Sequence, residues 1–190
     1  MVGLFFGSFN PIHIGHLALA NYYLDNTELK EIWFVISPHN PLKNKSSLLH
    51  HRFRKDMVNL AIGDHPKLKA CDIEFNLPQP SYTINTLEYL KEKYPKKKFA
   101  LILGADNLAT FHKWKNYEVI LKRHHLFVYP RPGFDPGPLV IHPSVTLTNA
   151  PIIEISSSYI RDAIHEGEKP EYFVHPEVWK YICEMNFYKK

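Results

Sequence analysis

The chain has 190 residues, of which 45% are apolar and 14% aromatic, and its formal net charge is +4 with the histidines neutral. These values exclude a disordered or fibrous protein and predict one domain, residues 1–190, around one good core. No apolar run approaches the roughly 20 residues that cross a bilayer, so we expect no membrane association. Cys71 and Cys183 have no C-x-x-C spacing, which favours a reducing compartment. We therefore expect a cytoplasmic protein.

The densest basic run, Lys96–Lys98, follows Pro95 and predicts a solvated turn. A nucleic-acid-binding face would be broader and would carry base-stacking aromatic residues, so we expect no nucleic-acid partner. A mild positive charge also suits small phosphorylated ligands.

In chain order, the first predicted strand is Val2–Phe6, and it leads into the loop GSFNPIHIGH, residues 7–16. The apolar periodicity then resumes in LALANYYL, and we place the start of the helix near residue 13. A second strand, Ile32–Ser37, is followed by a loop rich in Pro and Asn over residues 38–47. Short continuous apolar runs of this kind are typical of strands buried on both faces of a parallel sheet.

Two apolar stripes at helical spacing come next. Their members are Leu49, Phe53, Met57 and Leu60 in the first stripe, and Thr83, Leu87, Leu90 and Tyr94 in the second. Two more strands are predicted over Phe99–Leu103 and Leu126–Tyr129, and residues 130–144 are predicted as a loop. The last predicted helix is HPEVWKYICEM, in which Val178, Ile182 and Met185 share one face.

The alternation of strands and helices predicts an α/β fold with a doubly wound, mostly parallel sheet of the Rossmann-like type. The C-terminal helical segment, about residues 157–190, should pack on that sheet. In such a fold ligands bind beyond the carboxyl ends of the strands, where helix N-termini point N–H groups outward and favour anions.

The loop GSFNPIHIGH occupies that position after the first strand. Gly7 and Gly15 would let a phosphate approach the backbone closely, and Pro11 would stiffen the turn. His13 and His16 would converge on one spot and could donate hydrogen bonds to phosphate oxygens.

Other interpretations of this loop fit less well. A zinc site would need three or four ligands, and no HExxH glutamate or nearby cysteine accompanies the two histidines. The loop also lacks the G-x-x-x-x-G-K of a Walker loop and the G-x-G-x-x-G of a dinucleotide site. A structural turn with incidental histidines stays open, but phosphate binding explains the pattern best.

The loop resembles the signature of the nucleotidyltransferase superfamily with the H-x-G-H motif. The later segments SPHNPLK, PSYTINTL, GADNLATFHKW and EISSSYIR resemble, in the same order, those of bacterial nicotinate-nucleotide adenylyltransferases, over about residues 2–165. Some positions depart from the family pattern. These are Asn10, where Asp is frequent, Ser8 and Ser158, where Thr is common, and Phe6, where many members have a second glycine.

The resemblance implies that the 5′-phosphate of nicotinic acid mononucleotide attacks the α-phosphorus of ATP, giving nicotinic acid adenine dinucleotide and pyrophosphate. It implies His13, His16 and Arg161 as catalytic residues, with His16 nearest the α-phosphate. Mg²⁺ is implied with ATP, held mainly by phosphates and water, because no carboxylate cluster stands out in the sequence. The partners are thus two small molecules, and a homo-oligomer remains open.

The residues that the resemblance assigns to the two substrates fall into two sets. The ATP site comprises Gly7, Ser8, Phe9, His16, Gly104, Asp106, Ile155, Ser156, Ser157, Ser158 and Arg161. The mononucleotide site comprises Asn40, Lys43, Thr83, Trp114 and Lys115, with Trp114 stacking on the pyridine ring.

Each of these assignments has a plainer alternative. Asp106 on its own would more often be a helix N-cap, Trp114 a core residue, and Lys43 a solvated lysine. At the level of function, a sister enzyme that transfers adenylyl to phosphopantetheine or cytidylyl to a phosphoalcohol would share the H-x-G-H loop. A nucleotide-binding regulator without catalysis would also keep the phosphate loops.

Overall fold

The structure is a computed structural model that describes residues 1–38 and 48–189. The strands of this part are β1 (Val2–Gly7), β2 (Glu31–Ile36), β3 (Leu68–Cys71), β4 (Phe99–Gly104), β5 (Leu126–Tyr129) and β6 (Val145–Leu147). Its α-helices are α1 (Ile14–Asn26), α2 (His51–Ile62), α3 (Thr83–Lys93), α4 (Ala105–Ala109), α5 (Tyr117–Arg123), α6 (Ser157–His165) and α7 (Pro176–Glu184). Short 3₁₀ helices cover Ile73–Asn76, Phe111–Lys113, Pro138–Ile141 and Glu171–Phe173.

The strands pair in parallel in the order β3-β2-β1-β4-β5-β6. Strand β1 lies at the centre, with Leu4 opposite Trp33 of β2 and Leu101 of β4. From β1 the chain proceeds to one side of the sheet and later, through β4, to the other. This reversal of strand order opens a crevice at the carboxyl ends of β1 and β4, where doubly wound folds bind their ligands. The predicted doubly wound sheet is confirmed.

The sheet separates two apolar layers, because successive side chains of a strand point to opposite faces. Phe5, Phe34 and Ile102 face a layer that also holds residues of α1, α2, α6 and α7. Leu4 and Trp33 face the other layer, which is built with α3 and α5. The structure therefore has two apolar clusters where composition predicted one core, since a sheet covered on both faces must bury both.

The four predicted strands are present, and two short edge strands were missed. Strand β3 contains Lys69 and so lacks a continuous apolar run, and β6 is only three residues long. An edge strand has one neighbour, so its exposed side carries little apolar signal. The predicted loop 130–144 also contains the 3₁₀ helix Pro138–Ile141.

The predicted helical stripes are correct except at their ends. Leu49 precedes α2, which begins at His51, and Tyr94 is the C-cap of α3. In the last helix Val178 and Ile182 are buried, but Met185 lies beyond its end and is 43% exposed. Burial of α6 and α7 residues against the sheet packs the C-terminal segment onto the central strands. No helix within the described ranges is long and apolar enough to cross a membrane.

Candidate active site

The loop after β1 is held in a compact conformation. Phe9 has φ of 46°, in the left-handed region, and its side chain is buried. Its ring lies over Gly7, where a Cβ would come 2.8 Å from the ring edge. Gly7 therefore makes room for Phe9, and the phosphate contact that the sequence suggested for it stays a prediction. Because the Phe9 side chain belongs to the core, only its backbone can face a ligand.

The two histidines of the loop lie against each other at the start of α1. His13 is the N-cap, and the centroids of the His13 and His16 rings are 3.8 Å apart. The backbone N–H of His13 donates to Nδ1 of His16 at 3.2 Å. Since Nδ1 accepts, the ring proton of His16 is on Nε2, which is thereby a hydrogen-bond donor. Phe5 and Phe9 pack against the His16 ring and fix its orientation.

His13 is the more buried of the pair, with 7% of its surface exposed. Burial first, and the positive charge of Arg131 second, lower the pKa of His13 to about 4, so the ring is neutral at pH 7. Its Nδ1 is buried and has no hydrogen-bond partner in the described part of the chain. A Cβ on Gly15 would lie 3.0 Å from this atom, so Gly15 makes room for the imidazole, where we predicted room for a phosphate.

Helix α6 begins against the same loop, 140 residues further along the chain. Its N-cap, Ser156, accepts a hydrogen bond from the backbone N–H of Tyr159 at 3.1 Å. The Ser157 hydroxyl donates to the carbonyl of Pro11 at 2.9 Å. The N–H groups of a first helical turn have no acceptor within the helix, so this end of α6 presents donors beside the histidines.

Arg161 ties α6 to the loop from one turn further in. Its Nη1 donates to the carbonyl of Asn10 at 2.9 Å, and its Nη2 donates to the Ser158 hydroxyl at 3.2 Å. Its Nε is buried and unpartnered among the residues described. Two of the five N–H donors of Arg161 contact the protein, so three remain for a phosphate. Ile155, just before the helix, is half-buried against the core.

Asn10 is a buried junction that sequence reasoning noted only as a departure from the family pattern. Its Oδ1 accepts from the backbone N–H of Leu49 at 3.2 Å and from the Tyr188 hydroxyl at 3.0 Å. Burial raises the pKa of Tyr188, which keeps that hydroxyl protonated as a donor. The C-terminal tail therefore fastens the loop after β1.

Arg54 is a second buried junction, and sequence reasoning missed it. Its fully buried guanidinium donates to the carbonyls of Ser8, Ser37, Pro38 and Leu49. Burial lowers its pKa to about 10, which leaves it protonated at pH 7. The sequence does indicate that Arg54 is buried, because it lies three and four residues before the buried Met57 and Val58 on one face of α2.

Replacing Arg54 with Met should destabilise the protein by about 3 kcal/mol or more, since four buried carbonyls lose their donor. Urea denaturation followed by circular dichroism measures this free energy of unfolding. Arg52→Met on the exposed side of the same helix is the matched control, and it should be near neutral. Equal losses in the two variants would contradict the role of Arg54.

At the carboxyl end of β4, Gly104 and Asp106 lie beside Arg131. Oδ1 of Asp106 is 3.6 Å from Nε of Arg131, whose guanidinium carbon is 5.8 Å from the centroid of the Tyr129 ring. Asp106 is in the first turn of α4 and is not its N-cap, which is Gly104. Arg131 was missed because it lies in a Pro- and Gly-rich segment where periodicity carries no information.

The predicted mononucleotide residues lie mostly on the neighbouring loops. Thr83 is the first residue of α3, and Nζ of Lys115 is 4.6 Å from the ring centroid of Tyr82, the preceding residue. Trp114 is half-buried and packs on Phe111, with ring centroids 4.8 Å apart. Thr83 and Lys115 are thus brought together, while Trp114 has one side against the core. Asn40 and Lys43 lie outside the described residues.

The predicted phosphate-binding residues meet at the carboxyl edge of the sheet. The loop after β1 contacts α6 directly, and the positive charge of Arg131, in the loop after β5, lowers the pKa of His13. Within residues 1–38 and 48–189, no three His, Cys, Asp or Glu side chains are grouped to hold a metal ion. The edge instead offers hydrogen-bond donors and arginines, which suit phosphate groups.

The parallel doubly wound sheet and the paired histidines after β1 fit a nucleotidyltransferase, and sequence comparison shows that class. A family model described as cytidylyltransferase-like matches residues 4–163. The probable nicotinate-nucleotide adenylyltransferase of Flavobacterium johnsoniae is 53% identical to this chain, over 100% of this chain and 99% of that protein. The corresponding protein of Bacteroides fragilis is 48% identical, over 96% and 91% of the two chains. The chain belongs to the nicotinate-nucleotide adenylyltransferase family of enzymes, as the resemblance predicted.

The fold is also that of a solved structure from a distant organism. Plasmodium falciparum nicotinic acid mononucleotide adenylyltransferase, complexed with NaAD, superposes with a TM-score of 0.81 at 24% identity. The match covers 98% of this chain and 96% of that one. The agreement extends over the whole sheet and its helices, including the C-terminal segment.

Proposed function

We propose that this enzyme joins ATP and nicotinic acid mononucleotide to give nicotinic acid adenine dinucleotide and pyrophosphate, a step of NAD biosynthesis. The observation that carries the proposal is the position of His16. Its Nε2 donor is oriented by the hydrogen bond at Nδ1 and lies at the carboxyl end of β1, in the loop that contacts the N-terminus of α6.

The reaction needs positioning and charge stabilisation more than acid–base chemistry. The second pKa of a phosphate monoester is about 6, so the attacking phosphate is already largely ionised at pH 7. One of its oxygens forms a bond to the α-phosphorus of ATP, and the bond from that phosphorus to the bridging β-oxygen breaks. The electron pair leaves with pyrophosphate. Donors aimed at the α-phosphoryl and the leaving group therefore lower the barrier.

The site residues divide this work by location. His16 donates from Nε2 to an α-phosphate oxygen, and His13 supplies a neutral ring packed against it. The first turn of α6 and Arg161 face the β- and γ-phosphates, with the N–H groups of Arg161 that Asn10 and Ser158 do not use donating to phosphate oxygens. Gly104 and Asp106 lie where the nucleotide sugar would be held.

Mg²⁺ enters in this proposal as part of the ATP substrate. Asp106, the carboxylate at the carboxyl end of β4, is paired with Arg131. Such an arrangement suits an ion that is held by phosphate oxygens and water, as Mg²⁺ commonly is. We also propose a cytoplasmic location, which the free thiols of Cys71 and Cys183 support.

The test is pyrophosphate release by the purified protein with ATP or CTP and a panel of acceptors. The panel holds nicotinic acid mononucleotide, nicotinamide mononucleotide, phosphopantetheine and a phosphoalcohol, each with Mg²⁺ and with excess chelator. We expect turnover with ATP and nicotinic acid mononucleotide, abolished by the chelator. Preference for phosphopantetheine or for CTP would assign a sister enzyme, and binding without turnover would assign a regulator.

Trp114→Ala should weaken binding of the mononucleotide by about 1–3 kcal/mol through lost stacking, with base stacking on aromatic side chains as the calibration. KM for the mononucleotide should rise while KM for ATP stays unchanged. Trp179→Ala, at a half-buried tryptophan on α7, is the control for loss of a large side chain. If KM for the mononucleotide does not change, Trp114 is a core residue that packs on Phe111.

A further inference from the structure

Glu74 is a buried carboxyl group that the proposed reaction does not use. It lies in the 3₁₀ helix after β3 and is 3% exposed. The Thr86 hydroxyl donates to its Oε1 at 2.7 Å, and the Ser81 hydroxyl donates to its Oε2 at 3.1 Å. Burial raises the pKa of Glu74, and these hydroxyl bonds act in the opposite direction. Burying a carboxyl group costs free energy unless hydrogen bonds compensate for it, so the contacts of Glu74 show which segments it holds.

The two hydroxyls flank the turn that begins α3. Ser81 precedes the N-cap Tyr82, and Thr86 closes the first turn with its backbone N–H on the Tyr82 carbonyl at 3.2 Å. A third bond, from the Gln79 amide to the Glu74 carbonyl at 3.2 Å, holds the chain just before the turn. Glu74 therefore contacts three residues of the segment 79–86, namely Gln79, Ser81 and Thr86.

The same carboxyl group also reaches the central strands. The Ser37 side chain, directly after β2, also acts on this carboxyl group and lowers its pKa. The backbone N–H of Ser37 donates to the Gly7 carbonyl at 3.0 Å, at the start of the loop that carries the histidines. Glu74 therefore lies between the start of α3 and the carboxyl end of β2, while Arg54 and Arg161 hold the loop after β1 itself.

We propose that Glu74 is a positioning residue that fixes the Ser81–Thr83 turn so that its N–H groups face the ring carboxylate of the mononucleotide. This inference rests on the proposed function. In the first turn of α3 the N–H groups of Asn85 and Thr86 bond to the Tyr82 carbonyl, which leaves those of Thr83 and Ile84 without an acceptor in the helix, so their direction is set by how the turn is held. Nζ of Lys115 lies 4.6 Å from the ring centroid of Tyr82, so the position of the turn also sets the position of this cation.

The experiment compares Glu74→Ala with Glu74→Gln in steady-state kinetics for both substrates. Glu74→Ala leaves the Ser81 and Thr86 hydroxyls without their buried acceptor, and KM for the mononucleotide should rise about tenfold or more. KM for ATP and kcat should stay within about twofold, because the ATP site is held by other contacts. Glu74→Gln should restore KM, since its carbonyl accepts from Thr86 and its NH₂ donates to the Ser81 oxygen.

Glu88→Ala is the control, because Glu88 lies on the same helix and pairs with Arg123 at the surface. If Glu74→Ala does not fold, Thr86→Val removes the hydroxyl donor at 2.7 Å from Oε1 and should raise the same KM. A lowered melting temperature with both KM values unchanged would overturn the positioning role, as would equal increases in both. A wild-type protein that does not convert the mononucleotide would overturn the proposed function itself, which is a separate result.

Discussion

His16→Ala should lower kcat by about 10²-fold or more while ATP affinity changes little. The reason is that a donor aimed at the α-phosphoryl contributes most when charge develops there in the transition state. The structure strengthens this expectation, because Nδ1 of His16 accepts the His13 N–H and so leaves the proton on Nε2. Single-turnover kinetics and equilibrium binding of ATP separate the two quantities.

Two further variants make this result interpretable. His16→Gln keeps an N–H donor on a side chain of similar reach, and it should retain more activity than His16→Ala. His165→Ala, at the exposed C-terminal end of α6, controls for general loss of a histidine. Kinetics of His16→Ala near those of the wild type would remove His16 from the chemistry.

The enzyme should prefer the mononucleotide with a ring carboxylate over the carboxamide by about 10³-fold or more in kcat/KM. The start of α3 offers N–H donors at a helix N-terminus, which favours an anion, and Lys115 lies beside Tyr82. A carboxamide loses charge-assisted hydrogen bonds and turns its NH₂ donor towards other donors. Sites built around polar groups reject analogues that leave them unpaired by ratios of this size.

The measurement is kcat/KM for both mononucleotides at saturating ATP. Lys115→Met should reduce the preference, because the cation supports the carboxylate and contributes little to the amide. Equal use of acid and amide by the wild type would refute the assignment of the nicotinate ring. If Lys115→Met leaves the preference for the acid over the amide unchanged, the backbone N–H groups alone discriminate between the two mononucleotides.

Features set by local chemistry could be predicted from the sequence. The central strands were recognisable because both of their faces are buried, which requires continuous apolar runs. The start of the helix near residue 13 was placed within one residue of α1. The serine-rich start of α6 followed from the preference of Ser for helix N-caps, and Ser156 has that contact.

The glycines show what a sequence leaves undetermined at a position that it marks. Gly7 and Gly15 were predicted to admit a phosphate, yet a Cβ at either position would meet the rings of Phe9 and His13. A sequence shows that a side chain is missing, but it does not show which neighbour occupies the space. That neighbour is set by packing across the fold.

The sequence by itself determined the sheet class, the order of its central elements and the motifs of the family. Only the tertiary structure decided how the loop after β1 is held: by Arg54 from α2, by Arg161 from α6 and by Tyr188, 178 residues from Asn10. It also decided that Glu74 contacts the start of α3. These contacts join residues far apart in the chain through a few side-chain hydrogen bonds. Such pairs leave no periodic pattern, because periodicity records only which side of an element is buried.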